Sequence, residues 1–287
     1  MFEIRYFLAV ARFENIHRAS EKLNASPASL SKAISRLESE LETKLFSREG
    51  RNIRLTVQGR ALQKRAAEIV RLEEDTRLEI GGGTSVLRVV MAGAEVLLSK
   101  TGMAVSQIIK KKYPGAQFEF HAVGDEEAVG QVKRGEAHLA LTTAEVSHYG
   151  GIVSKVMSET EFQTVVGAGH PLYPAAKARK IVPVETVLKY GFVSPCHPLL
   201  GKVGPHQSLD GWRDDRFPRK IEYLTSSLRL MEEFVTTGKA IAYLPDTLCE
   251  NTSLIALKVS GCPYTCLQKV KLVAKNPHEL TWLSQLF

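Results

Sequence analysis

The chain has 287 residues, 44% of them hydrophobic and 24% charged, an ordinary composition for a water-soluble globular protein with enough chain for two or so cores. No apolar run reaches 18 residues, and the first 20 carry Glu3 in a short, interrupted apolar stretch with no small-residue cleavage site behind it, so neither a spanning helix nor a secretory leader is expected and a cytoplasmic location follows. The net charge of +7 is uneven: residues 1–60 hold 11 Lys/Arg against 7 Asp/Glu, whereas residues 86–287 hold 23 against 19, which points to a polyanionic partner for the start of the chain, nucleic acid before others.

In chain order, Ile4, Phe7, Leu8 and Ala11 recur at helical spacing and predict a helix over 2–13. Asn15 is placed to cap a short second helix, 16–23, burying Ile16, Ala19 and Leu23. A turn at Asn24-Ala25-Ser26 leads to a third helix. Its opening Ser-Pro is a start signal: the Ser26 hydroxyl can accept from first-turn amides, and Pro27 at the first helical position forfeits no hydrogen bond. Turned at 100° per residue, this helix brings Ala33, Ile34, Leu37 and Leu41 within about 60° of Leu30. The opposite face carries Ala28, Ser29, Lys32, Ser35, Arg36 and Ser39, small or basic throughout.

That face suits a groove of DNA. Short side chains permit close approach, Lys32 and Arg36 can reach guanine edges or phosphates, and the free N–H groups of the helix start suit a phosphate. His17 and Arg18 on the preceding helix would lie toward the backbone, as in a helix-turn-helix. The plainer alternative is the solvated face of an amphipathic helix. Residues 45–55 predict a hairpin about Glu49-Gly50-Arg51-Asn52, whose Arg48, Arg51 and Arg54 suit phosphates or a minor groove.

Thr56 can cap a long helix to about Ile80, on which Leu62, Ala66, Ile69 and Leu72 keep a narrow stripe, as on a dimer-forming helix. The GGGTS run at 81–85 is the clearest linker. Beyond it, strands at 86–92, 117–123 and 137–143 alternate with helices at 95–112 and 125–134, the latter stopped by Gly135. Further strands are expected at 162–167, 190–194, 221–224, 240–244 and 269–274, with helices at 226–237 and 277–287. The alternation predicts an α/β architecture of parallel sheets with helices on both faces.

Cys196, Cys249, Cys262 and Cys266 are expected to be reduced thiols, since the C-x3-C pair lacks a second pair for a structural zinc site. No metal or other cofactor is therefore assigned; a redox-sensing Cys196 or Cys249 is the alternative. No G-x-S-x-G, H-E-x-x-H or G-x-x-x-x-G-K-[ST] motif occurs, so no catalytic residue is assigned either and the chain does not read as an enzyme.

From Phe7 to Leu62 the sequence resembles the N-terminal domain of LysR-type transcriptional regulators. The resemblance rests on Ala19-Ser20, Leu23, Ser26, Ser31, Ile34, Leu37-Glu38, Leu45-Phe46, Arg48, Leu55-Thr56 and Gly59 at the family's spacing, with weaker matches at GEAHLAL and GKAIAYLP. It departs where Pro27-Ala28-Ser29 replaces a common Gln-Pro-Ala, Ala33 a usual Gln, Glu42 a usual Gly and His138 a usual Asp. Without the two glutamines, DNA recognition would rest more on shape and phosphate contacts.

The resemblance implies a winged helix-turn-helix at 1–58, to whose DNA contacts it adds Ser31, and a linker helix and hinge at 59–85. An effector-binding domain like a periplasmic binding protein would follow at 86–287. Its subdomain I would span about 86–155 and 256–287, and its subdomain II about 156–255. Such regulators form homodimers or homotetramers on double-stranded promoter DNA, with RNA polymerase a further partner and no membrane involved. By position, a small-molecule effector would meet Gly93, Ala94, Glu95, Thr142, Thr143, Ser194, Cys196, His197, Thr225, Ser226 and Ser227. Helix N-termini favour a carboxylate ligand there, against which Glu95 speaks. A ligand-independent DNA binder with a vestigial cleft stands as the second reading.

Overall fold

In a computed structural model describing residues 2–49, 52–80, 86–148, 150–201, 206–249, 253–280 and 282–287, three helices open the chain: α1 (Phe2–Phe13), α2 (Ile16–Leu23) and α3 (Pro27–Glu40). Each boundary has a local cause. Asn15 Oδ1 accepts the Arg18 amide at 3.0 Å to start α2, and Asn24 in the left-handed region (φ 49°) ends it. Ser26 Oγ accepts the Ser29 amide at 3.1 Å with Pro27 next in line, so α3 begins where the sequence predicts. The hairpin of β1 (Phe46–Glu49) and β2 (Asn52–Leu55) pairs Phe46 with Leu55 and Arg48 with Ile53. Its expected tip, Gly50 and Arg51, and the expected linker at 81–85 lie outside the described residues. Phe7, Ala11, Leu37, Leu45, Leu55 and Ala66 form one core of this domain, and Val10, Ala19, Leu30 and Ile34 a second.

Thr56 Oγ1 accepts the Gly59 amide at 2.9 Å and starts α4 (Val57–Ile80). α4 packs on α1 and also meets the C-terminal part of the chain through α7. There Glu68 pairs with Lys275, and Ala67 abuts Gly135.

The C-terminal part begins with β3 (Arg88–Gly93) and a continuous helical run, α5 (Glu95–Leu97), a π-turn at Leu98–Gly102 and α6 (Met103–Lys112). Then come β4 (Gln117–Ala122), α7 (Asp125–Arg134), β5 (Leu139–Thr142) and the long β6 (Ile152–Val166). Gly135, at φ 72°, caps α7 where a side chain would be strained. The second lobe holds α8 (Tyr173–Lys177), β7 (Ile181–Pro183), α9 (Val184–Val187), β8 (Gly191–Pro195), β9 (Lys220–Thr225), α10 (Leu228–Thr236), β10 (Ala242–Pro245), β11 (Ile255–Ala256) and β12 (Lys258–Ser260). The chain returns through β13 (Leu267–Lys275).

The main sheet runs β10-β6-β13-β5-β3-β4, with β11 also on β6. β3 pairs in parallel with β4 and β5, whereas β13 is antiparallel to both β5 and β6. The expected all-parallel sheet is thus corrected to a mixed one. The cause is the double crossing between lobes: β6 pairs with β13 over Ile152–Glu161 and with β10 and β11 over Phe162–Val166, and β13 comes back beside it. In the second lobe, β8 and β9 are parallel, and Phe192 bridges to Ile241 beside β10.

One other expectation is corrected. Over the described residues of 277–287 the expected helix is replaced by a 3-10 turn at Pro277–Glu279 and turns at 282–286. Its helically spaced Leu280, Trp282, Leu283 and Leu286 are nonetheless buried, and the His138 ring meets Trp282 edge-on at 5.7 Å. The helix at 95–112 is widened by its π-turn, at which a Cβ on Gly102 would sit 3.3 Å from Met91 Sδ. His138, where the family has Asp, accepts the Val90 amide on Nδ1 at 2.9 Å.

Candidate DNA interface and effector cleft

Helix α3 buries Leu30, Ala33, Ile34 and Leu37 and leaves Ala28, Ser29, Ser31, Lys32, Ser35 and Arg36 exposed on the far side. Ser26 is exposed and Pro27 half-buried, and Ser26 Oγ lies 2.8 Å from Ser29 Oγ. The helix start is therefore capped by its own side chains and presents no bulky group. His17 and Arg18 are exposed on α2. Arg48 is exposed on β1, while Arg54 on β2 is pinned to Glu14 at 2.5 Å and Glu14 also accepts the Leu55 amide at 3.2 Å. Arg51 lies outside the described residues.

One residue absent from the sequence-derived set orients this surface. Glu38 is buried, and its Oε1 accepts the Leu45 and Phe46 amides at 2.8 and 3.2 Å while Oε2 takes Lys44 Nζ at 2.7 Å. Burial raises its pKa, but Lys44 and the two amides outweigh that and hold the carboxyl below its ordinary value. The hairpin is thereby tied to the end of α3. The signal was present in the sequence as the one acid between the buried Leu37 and the exposed Ser39.

On α4 the expected dimerisation stripe divides. Leu62 and Ala66 pack into the core around Phe7, whereas Ile69 and Leu72 are exposed beside a groove of about 310 Å³ shared with Lys275, Asn276 and Leu280.

Between the lobes, at the carboxyl ends of β3, β4, β8 and β9, lies a cleft of about 410 Å³, a common size for a small-molecule site and the expected place for one. Six predicted residues line it: Ala94, Glu95, His197, Thr225, Ser226 and Ser227. Five are not in its lining. Gly93 is packed so that a Cβ would lie 2.7 Å from the Leu141 carbonyl oxygen. Thr142 is 0% exposed, and its Oγ1 accepts the Ala144 amide at 3.1 Å. Ser194 is buried, Thr143 sits behind Asp125, and Cys196 is exposed outside the cleft, its amide bonded to the Thr225 carbonyl at 2.9 Å. Side chains alternate along a strand end, so consecutive residues there cannot all face one cavity.

The residue missed in the cleft is Asp125, the first of α7. Its Oδ2 accepts the Thr143 amide at 2.8 Å, the Thr143 hydroxyl at 3.0 Å and the Ala144 amide at 2.9 Å. Its Oδ1 is buried with no partner among the described residues. The rule that selects Glu95, first helical residue after a strand's carboxyl end, selects Asp125 equally. Nearby on α10, burial pushes the Glu232 carboxyl up, with Arg229 opposing and Glu95 adding to the rise.

No disulfide joins the four cysteines, and burial raises the pKa of Cys266. Among the described residues no group of three or more His, Cys, Asp or Glu could hold a metal, and no helix is long and apolar enough to cross a membrane.

Residues 1–60 match the profile of the bacterial regulatory helix-turn-helix proteins of the lysR family, and residues 103–275 match that of the LysR substrate binding domain. The chain belongs to the LysR family. As a LysR-type transcriptional regulator it carries a DNA-binding helix-turn-helix and an effector-binding domain. It is 24% identical over 264 residues to the transcriptional dual regulator GltC of Bacillus subtilis (strain 168), covering 90% of this chain and 84% of that protein. Its fold is similar to ArgP from Mycobacterium tuberculosis (TM-score 0.64, 16% identity, 99% of this chain and 94% of that one). It is likewise similar to full-length CbnR in complex with its target DNA (0.60, 16%, 99% and 96%) and to full-length LysG from Corynebacterium glutamicum with bound effector Arg (0.59, 17%, 99% and 95%). In this LysR-type chain, α2 and α3 are the helix-turn-helix, β1–β2 the wing and α4 the linker helix.

Proposed function

We propose that this regulator grips operator DNA with α3 in the major groove and the wing alongside, as a homodimer or homotetramer in the cytoplasm, and that a small molecule in the interlobe cleft resets promoter activity. Lys32 and Arg36 are the principal base or phosphate contacts, with Ser29, Ser31 and Ser35 giving clearance, His17 and Arg18 on adjacent phosphates and Arg48 at the wing. The reading is carried by the outer face of α3, whose six side chains from Ala28 to Arg36 are all exposed and none of them acidic or bulky and apolar. Ile69 and Leu72, exposed on the linker helix, support self-association there. That a fold neighbour, CbnR, is seen on its target DNA and another, LysG, with an effector supports both halves.

The test is a gel shift on the chain's own upstream DNA at physiological salt, comparing the wild type with Lys32→Ala/Arg36→Ala. The double variant is expected to fold normally, since both residues are solvent-exposed, and to lose specific binding. Undiminished specific binding would refute the assignment of α3.

A further inference from the structure

We propose that the interlobe cleft selects a small organic cation, an ammonium or guanidinium, drawn to Glu95 with the buried Asp125 carboxylate behind it. This deepens the reading of the cleft as an effector site and rests on it.

The charged side chains lining the cleft, among the described residues, are Glu95 and Asp125; apart from His197, no basic side chain joins them. Asp125 is 7% exposed and one of its oxygens has no hydrogen-bond partner among the described residues. A carboxylate shielded from water acts at longer range than one in bulk solvent and costs free energy until a positive group compensates it. Glu95 is exposed, so a ligand can reach it directly.

Helix starts that would otherwise favour an anion are already answered. Glu95 and Asp125 themselves occupy the first turns of two helices that point into the cleft. At the third, Thr225 Oγ1 accepts the Ser227 amide at 3.0 Å and Ser227 Oγ accepts the Leu230 amide at 3.3 Å. A ligand carboxylate would therefore meet two carboxylates and a capped helix end. Leu199, Leu200 and Met231 also line the cleft and suit a short aliphatic body behind the cationic head.

The experiment is calorimetric titration of the full chain with agmatine, cadaverine and putrescine, against benzoate and succinate, at low salt. Saturable binding of one or more cations with no binding of the anions is expected, weakening as salt rises. Glu95→Gln is expected to weaken it several-fold, and Asp125→Asn by about tenfold or more, the order seen when one partner of a shielded charge pair is removed. If Asp125→Asn fails to fold, because Asp125 also anchors Thr143 and Ala144, Glu95→Gln decides, being on the surface. Binding of benzoate or succinate alone, or cation binding unchanged in Glu95→Gln, overturns the proposal while leaving an effector-responsive regulator. Silence from all five at millimolar concentration overturns both, whereas loss of DNA binding in the α3 variant is read independently.

Discussion

Glu38 Oε1 accepts the Leu45 amide at 2.8 Å across seven residues of chain, fastening the end of α3 to the start of the β1–β2 hairpin. The bond is buried and the carboxylate also serves Phe46 and Lys44, so its removal strands two amides that water reaches poorly. Glu38→Ala is expected to destabilise the DNA-binding domain by about 2–4 kcal/mol, the usual range for breaking a shielded, charge-assisted network. Urea unfolding of the purified variant checks this; a change below about 0.5 kcal/mol, the scale of an indifferent surface substitution, contradicts it.

The same carboxyl makes a pH prediction. Its folded pKa lies below its ordinary value of 4.5, so the native state binds fewer protons than the unfolded one in that region. The stabilisation is complete above the ordinary value and is lost as pH falls through the lowered one. Glu38→Gln imitates the protonated form. The stability gap between wild type and Glu38→Gln should be widest near neutrality and close progressively below about pH 4.5. A gap that stays constant down to the acid limit of folding would mean the carboxylate charge is not what matters.

In the second lobe, Arg219 is held with 0% side-chain exposure against Asp210 at 1%. Its Nη1 meets Asp210 at 2.7 Å, its Nε meets Asp214 at 2.9 Å, and Nη2 reaches Ser208 at 2.9 Å. The guanidinium also lies 5.3 and 5.1 Å from the ring centres of Phe192 and Trp212. A lysine keeps the charge but has neither the fork nor the plane. Arg219→Lys should cost about 3–5 kcal/mol, close to outright loss of a buried partner, and should alter Trp212 fluorescence. Near wild-type stability would show that charge alone suffices.

What the sequence made legible was what local chemistry decides. Asn15, Ser26 and Thr56 mark helix starts and Gly135 a helix end, because caps act within a few residues. The α3 face was readable for the same reason. The first part of β6 was not: its partner is β13, more than a hundred residues on, and its half-exposed face has no continuous apolar run. The expected helix at 277–287 failed because turns can bury residues at helical spacing just as a helix does. In the cleft, strand ends were placed correctly, but which side chains turn inward depends on pleat and packing; Thr142 and Thr225 show the two outcomes.

Glu42 stands where the family usually has Gly, and it adopts φ 49°, in the left-handed region that favours glycine. The reason is the helix stop. The Thr43 amide reaches back to the Glu38 carbonyl at 3.0 Å and the Glu42 amide to Ser39 at 3.3 Å, a Schellman closure whose turning residue is Glu42. The Glu42 side chain is exposed, so replacing it removes strain without opening a cavity. Glu42→Gly should stabilise the domain by about 0.5–1 kcal/mol, the left-handed penalty less the extra freedom glycine gains when unfolded. Thermal unfolding at matched concentration reads this as a rise of a few degrees. A lowered midpoint would mean that Glu42 contributes an interaction worth more than the strain it bears.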